Sequence, residues 1–242
     1  PHSHCITPAS TLFGPVPFHV RGQVGINFKP EHILAEEWAA GGGRMLEDAD
    51  VLGRIHWSEP VAASYLAVTL ASLPIRPFVD IVCVGTDRST GDSLGPFIGS
   101  ALVRHQDRGL LPPSVCVYGT IHQPVHALNL AETIEMIRRQ SRKSTVIAVD
   151  ACLGRVKSIG YISIKRGPLQ PGTGVNKQLP PAGDYHIIGV VNASGFLEHA
   201  VLQNTRLSLV LSMAEVIAEA LLLYLGSHSS KAEVALGPFS RL

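Results

Sequence analysis

The sequence predicts an α/β domain with a mostly parallel sheet covered by helices on both faces. Three observations carry that prediction. Five short runs rich in Val, Ile and Cys are separated by stretches with helical periodicity. Apart from 158–164, which alternates, the runs are mostly continuous apolar stretches, as strands buried on both faces require. Each of the first two is closed by a glycine, and strictly alternating β and α signals favour parallel crossovers.

The elements follow in order. Residues 1–30 are rich in Pro, Gly and His and have no clean period; His2, His4 and His19 read as part of a mobile tail. Over 31–57 the composition is mixed, and Gly41, Gly42 and Gly43 break any helix. We assign 1–57 to an N-terminal, partly irregular extension. The regular domain is expected over 58–226. Ser58, Glu59 and Pro60 form a helix start, with Ser at the N-cap and an acid and a proline in the first turn, so 61–73 reads as helix. Strand 1 spans 79–84 and a helix follows over 94–105. Strand 2 spans 114–118, with a helix over 127–140. Strand 3 spans 145–149 and stops at Asp150. Residues 158–164 alternate and give a fourth strand, 186–191 give a fifth, and 195–225 read as one long helical region. Residues 227–242 form a C-terminal tail.

Composition bounds the function. The chain has 242 residues, 45% hydrophobic and 16% charged, with a formal net charge of +1. This suits one sizeable core and gives no sign of a nucleic-acid or membrane-surface partner. Cys5, Cys83, Cys116 and Cys152 form no CxxC pair, so they read as reduced thiols of a cytoplasmic protein. There is no secretory h-region in the first residues. The segment 207–225 is long enough to span a bilayer, but Glu215 and Glu219 lie one turn apart on one face. Carboxylates at mid-span are costly, so a core helix is expected.

In open α/β sheets ligands bind beyond the carboxyl ends of the strands. After strand 1 comes the polar loop GTDRSTGDSLGP, with Gly85, Thr86, Asp87, Arg88, Ser89, Gly91, Asp92 and Ser93 leading into a helix. Its small residues allow close backbone approach, and a helix N-terminus favours an anion. Asp92 or Ser93 could also serve only as an N-cap. At the end of strand 3, Asp150 is a carboxylate on an apolar strand, which needs either a loop to cap or a chemical task. Two carboxylates at one sheet edge repel, so one becomes an acid and the other a base. Gly91-Asp92-Ser93-Leu94 matches the nucleophile block of a serine esterase family, but the Asp-x-x-His that supplies its base is missing. A phosphate loop fails for want of Gly-Lys-Ser/Thr. His122 and His126 are four apart, yet Pro124 disfavours a helix through both, so they read as loop histidines.

Four blocks in order, GTDRSTGDSLGP, VDACLGR, PGTGVNKQLPP and VVNASGFLEHAVLQNTRLSLV, closely resemble the YyaC-type sporulation proteins. That family is similar to the spore germination protease and, more distantly, to the hydrogenase maturation endopeptidases. The resemblance implies a three-layer α/β/α sandwich of the phosphorylase/hydrolase-like kind, with sheet order 2-1-3-5-4 and strand 4 antiparallel. It implies an acid-type peptidase in which Asp92 and Asp150 match the protease's two functional aspartates. Pro171, Gly172, Gly174 and Asn176 match its glycine-rich stretch. Gly172, Gly174 and Asn176, with Gly85, Thr86, Asp87, Arg88, Ser89, Gly91, Ser93 and Asn192, are expected to bind substrate. In the hydrogenase enzymes the two acidic positions and a later His bind nickel. Here Val191-Asn192-Ala193-Ser194-Gly195 carries no His, with His186 and His199 only flanking it, so no metal or other cofactor is expected. The implied partner is a peptide or protein, small acid-soluble spore proteins among the candidates, in the cytoplasm of the sporulating cell or forespore. A non-catalytic relative binding a spore peptide or small ligand, a metal-linked endopeptidase, and self-association of the chain all stay open.

Overall fold

The computed structural model describes residues 50–140, 143–171 and 180–236, with side chains to 226. The extension before residue 50 with its histidines, Gly172, Gly174, Asn176 and residues 237–242 lie outside the described residues.

The unit from Leu46 onward is built on one six-stranded sheet. Its strands are β1 (Val51–His56), β2 (Phe78–Cys83), β3 (Val115–Tyr118), β4 (Ser144–Gly154), β5 (Tyr161–Arg166) and β6 (Tyr185–Ala193). The spatial order is β3-β2-β4-β6-β5-β1. β2 pairs parallel with β3 and β4, and β4 pairs parallel with β6, while β5 runs antiparallel to β6. The expected order of five strands, with the fourth reversed, is therefore the observed one. The sixth strand is the difference. β1 pairs antiparallel with β5 at the sheet edge, so the domain begins before residue 58. The sequence reading missed it because Gly53 and Arg54 interrupt a short, half-exposed run that gains stability only from its partner.

Helices α1 (Ala62–Ala71), α2 (Leu94–Gln106) and α5 (Leu207–Leu236) share a core with one sheet face: Leu66, Ile98 and Met213 join Ile81, Ile147 and Ile187. On the other face lies α3 (Leu130–Arg139), whose Leu130, Ile134 and Ile137 recur at helical spacing and meet Val82 and Ala148. These are the three expected layers.

Local boundaries depart from expectation where side chains find better partners. Ser58 does not cap α1; its hydroxyl lies 2.7 Å from His56 Nδ1, and Val61 holds the N-cap position. α3 starts at Leu130 because Asn129 Oδ1 accepts from the His126 N–H at 2.8 Å and closes a turn there. The region after Gly195 is two helices, α4 (Glu198–Gln203) and α5, broken at Thr205, whose hydroxyl donates to the Val201 carbonyl at 2.9 Å. α5 runs through the expected boundary at 226/227 to Leu236. Its segment Leu207–Gly226 is apolar and long enough to cross a membrane. It packs on α1 and α2 with Val210, Ile217 and Leu221 buried, and Glu215 and Glu219 lie on the outer side. Cys83 and Cys152 are free thiols. Cys116 is disulfide-bonded, which corrects the expectation of a reduced thiol at that position.

Candidate functional site

The site is built by a difference in strand length. β2 and β4 pair as far as Cys83 and Val149. The Val84 N–H adds one more bond to the Val149 carbonyl at 2.7 Å, and then the Gly85 N–H turns to the Val125 carbonyl at 2.8 Å. β4 continues to Gly154 with β6 as its partner. Asp150 is thus the first β4 residue beyond β2, not the strand's last residue as the sequence suggested. Bonding to β6 carries the strand past the charge. From β2 the chain passes to β3 on one side, and from β4 it passes towards β5 and β6 on the other, so a crevice opens between them.

Asp92 fills that opening from above. It sits in a 3-10 turn, Gly91–Ser93, immediately before α2. The Thr86 N–H donates to the Asp92 backbone carbonyl at 3.0 Å, clamping the two ends of the loop. Gly85 makes the clamp possible: its φ is 147°, and a Cβ there would stand 2.0 Å from the Asp92 carbonyl oxygen. Gly91 is buried against α4, where a Cβ would meet Leu202 at 2.7 Å. No side-chain cap is made at the start of α2, so the N-cap reading of Asp92 and Ser93 does not describe the structure.

The two carboxyl groups differ in environment. Burial raises the Asp92 pKa, and the Ser89 hydroxyl and the charge of His199 partly offset it by favouring the carboxylate. Ser89 Oγ is buried beside Asp92 without a well-aligned hydrogen bond among the described residues. Asp150 is pushed up to about 8, first by burial and then by the charge of Asp92, although the Ala151 N–H donates to its Oδ1 at 2.8 Å and opposes the rise. The repulsion is felt by Asp150 because Asp92 ionises first, while Asp150 is still neutral. Asp92 is therefore the member of the pair that ionises first, and Asp150 the one that keeps its proton longer.

Both line one cleft of about 1130 Å³. Of the residues expected to bind substrate, Gly85 and Thr86 line it as well. Asp87 and Arg88 are exposed outside it. Ser89 and Gly91 stand behind Asp92. Ser93 is buried, and its hydroxyl donates to the Thr90 carbonyl at 2.6 Å with no histidine in reach among the described residues, which removes the serine esterase reading. Asn192 does not line the cleft either. Its amide donates to Thr205 Oγ1 at 3.2 Å and ties the end of β6 to the turn between α4 and α5. A short polar loop gives no sequence signal for which of its residues face inward, so these corrections required the backbone path.

Other wall residues were not singled out as substrate-binding. His186 and Ile188 lie on the Asp150 side of β6, since Ile188 is the register partner of Asp150. Period-two alternation in β6 was a usable signal for them. His199 and Leu202 come from α4 and lie inside the last block of the resemblance, but nothing in their spacing showed that they face the cleft. Cys152 also lines the cleft, its thiol pushed up to about 11 by burial and by Asp150. Among the described residues no three His, Cys, Asp or Glu side chains are grouped closely enough to hold a metal ion. The described residues do not supply the three-ligand set of a nickel site of that kind.

Fold and site together define a three-layer α/β/α protein with a paired-carboxylate cleft at the switch point of its sheet. The chain belongs to the family described as a protein of unknown function (DUF1256), which matches residues 55–220. It is 50% identical over 177 residues to the uncharacterized protein YyaC of Bacillus subtilis (strain 168), covering 73% of this chain and 82% of that protein. It is also similar to the crystal structure of a [NiFe] hydrogenase maturation protease HycI from Thermococcus kodakarensis KOD1, with 19% identity, a TM-score of 0.41, and coverage of 62% of this chain and 92% of that one.

Proposed function

We propose that the chain is a peptidase of the acid type that hydrolyses a protein of the sporulating cell, small acid-soluble spore proteins being the first candidates. The observation that supports this reading is the unequal pair in one cleft, with Asp150 the more strongly raised and Asp92 the first to ionise. In the proposed reaction Asp92 takes a proton from water as the water oxygen bonds to the peptide carbonyl carbon. Neutral Asp150 donates a hydrogen bond to the carbonyl oxygen, where negative charge develops. The proton on Asp92 then passes to the leaving nitrogen as the C–N bond breaks, giving a carboxyl group and an amine. Asp150 can help only while protonated, so the raised pKa is a requirement of this mechanism.

The test is incubation of the purified full chain with purified spore proteins across a pH series, read by mass spectrometry. Discrete fragments from wild type and none from Asp92→Asn or Asp150→Asn support the proposal. Intact spore proteins with wild type at every pH would leave the non-catalytic binding relative as the better reading.

A further inference from the structure

Two imidazoles that line the cleft have complementary hydrogen-bonding states. His186, on β6, has Nδ1 2.9 Å from the Gly167 carbonyl oxygen. A carbonyl only accepts, so Nδ1 carries the proton and Nε2 is left as an acceptor. Burial lowers the His186 pKa, with the charge of Lys165 adding to that effect and the Gly167 contact and Asp50 opposing it, which keeps the ring neutral near pH 7. His126, on the turn that enters α3, is the mirror case. The Leu128 N–H donates to its Nδ1 at 3.3 Å, so in the neutral ring Nε2 carries the proton and is a donor. Both rings line the cleft with Asp92 and Asp150. With each Nδ1 turned to the backbone, the Nε2 edge is the one left for the cleft, and neither Nε2 has a hydrogen-bond partner among the described residues.

From this geometry we infer that His126 and His186 are positioning residues that read the backbone of an extended peptide, His126 donating to a peptide carbonyl and His186 accepting from a peptide N–H. The inference rests on the reading of the cleft as a peptide site and says how that peptide is oriented. Alternating carbonyl and N–H groups are what an extended chain presents along its length, so one donor wall and one acceptor wall can be satisfied by two points on a single strand. The volume supports this occupant: about 1130 Å³ exceeds the range of about 300–1,000 Å³ common for small-molecule pockets. Sequence-independent backbone contacts would hold the substrate, leaving the carboxylate pair to the chemistry.

The experiment uses the full chain labelled with ¹⁵N-histidine. Ring shifts at pH 7 should report His186 as the Nδ1–H form and His126 as the Nε2–H form. The probe is an acetylated, amidated Ala-Ser repeat hexapeptide, uncharged, added to millimolar concentration. It should move both Nε2 signals. Replacing its backbone amides one at a time by esters should weaken the effect at His186 for one replacement by about three- to tenfold, the size of one neutral hydrogen bond. His186→Leu should lose sensitivity to that ester, and His186→Gln, which keeps an acceptor, should restore part of it. The opposite tautomers, or rings unmoved by the peptide, overturn the inference. The test is separable from that of the proposed reaction. Peptide-induced shifts without cleavage would keep the binding mode and remove the peptidase. Cleavage with unchanged KM in both His126→Leu and His186→Leu would do the reverse.

Discussion

The two faces of the sheet are built for different ends. On one, α1, α2 and α5 cover an unbroken apolar layer, in which Ile147 and Val149 of β4 are fully buried. On the other, α3 covers the β2 side, and residues of the same strand alternate from Ala148 to Asp150 to Cys152, each step nearer the cleft. One strand thus carries a stability face and a chemistry face at period two. The ionisable group on β4 stands on the face that opens to the cleft. Asp150 can hold its proton to about pH 8 because burial and the charge of Asp92 disfavour its ionised form, and pairing with β6 fixes the strand it stands on.

The largest effect expected on the chemistry face is loss of cleavage. Asp92→Asn and Asp150→Asn should each lower kcat by about a hundred- to ten-thousandfold, the range of a single general acid or base, with circular dichroism unchanged. Either variant cleaving at the wild-type rate breaks the division of roles between the faces.

Truncation on the closed face should do the opposite. Leu66→Ala removes a fully buried side chain of α1 and should cost about 2–5 kcal/mol in urea unfolding, leaving kcat per folded molecule unaltered. Ile188→Ala, at the half-buried cleft floor, should cost about 1 kcal/mol, since water already reaches that side. Equal losses at the two positions would show that the faces do not differ in packing.

Stability should also carry the mark of Asp150. Its folded pKa of about 8 lies above its unfolded value near 4. The contribution from the retained proton is complete below about pH 4 and is lost as pH rises through about 8. Asp150→Asn should therefore be the more stable protein at pH 8, by on the order of 1–3 kcal/mol with screening allowed for, and the difference should vanish near pH 4. Thermal melts at the two pH values check the sign. In the same range, kcat of wild type should fall above about pH 8 as Asp150 ionises, while the acid limb should lie above the usual carboxylate value because burial raises Asp92.

The smallest effect expected is that of a chelator. Without a three-ligand cluster among the described residues, EDTA should leave cleavage unchanged. Loss of activity restored by one divalent ion would mean that ligands beyond the described residues complete a metal centre.

Much of the fold was legible because burial on both faces forces an apolar run, and the runs at β2, β4 and β6 needed no partner to be seen. β1 was illegible for the converse reason: a half-exposed edge strand is held by β5, not by its own composition. At the site, the resemblance to the germination-protease type and the polar loop singled out Asp92, and an ionisable group on an apolar strand singled out Asp150. The inward or outward direction of Asp87, Arg88, Ser93 and Asn192 was not legible, because it depends on one clamp at Gly85 and on where α4 docks. The sequence by itself determined the α/β class and the runs that become β2 to β6, since these follow from periodicity and residue type, and it placed Asp150 at the end of an apolar run; the strand order and the pairing of Asp92 with Asp150 came with the family resemblance. Only the tertiary structure decided which aspartate keeps its proton and which histidine edge meets the cleft. Those properties arise from burial, from the Ser89 hydroxyl and His199 beside Asp92, and from backbone groups of Gly167 and Leu128, and through-space terms of this kind have no counterpart in the order of residues along the chain.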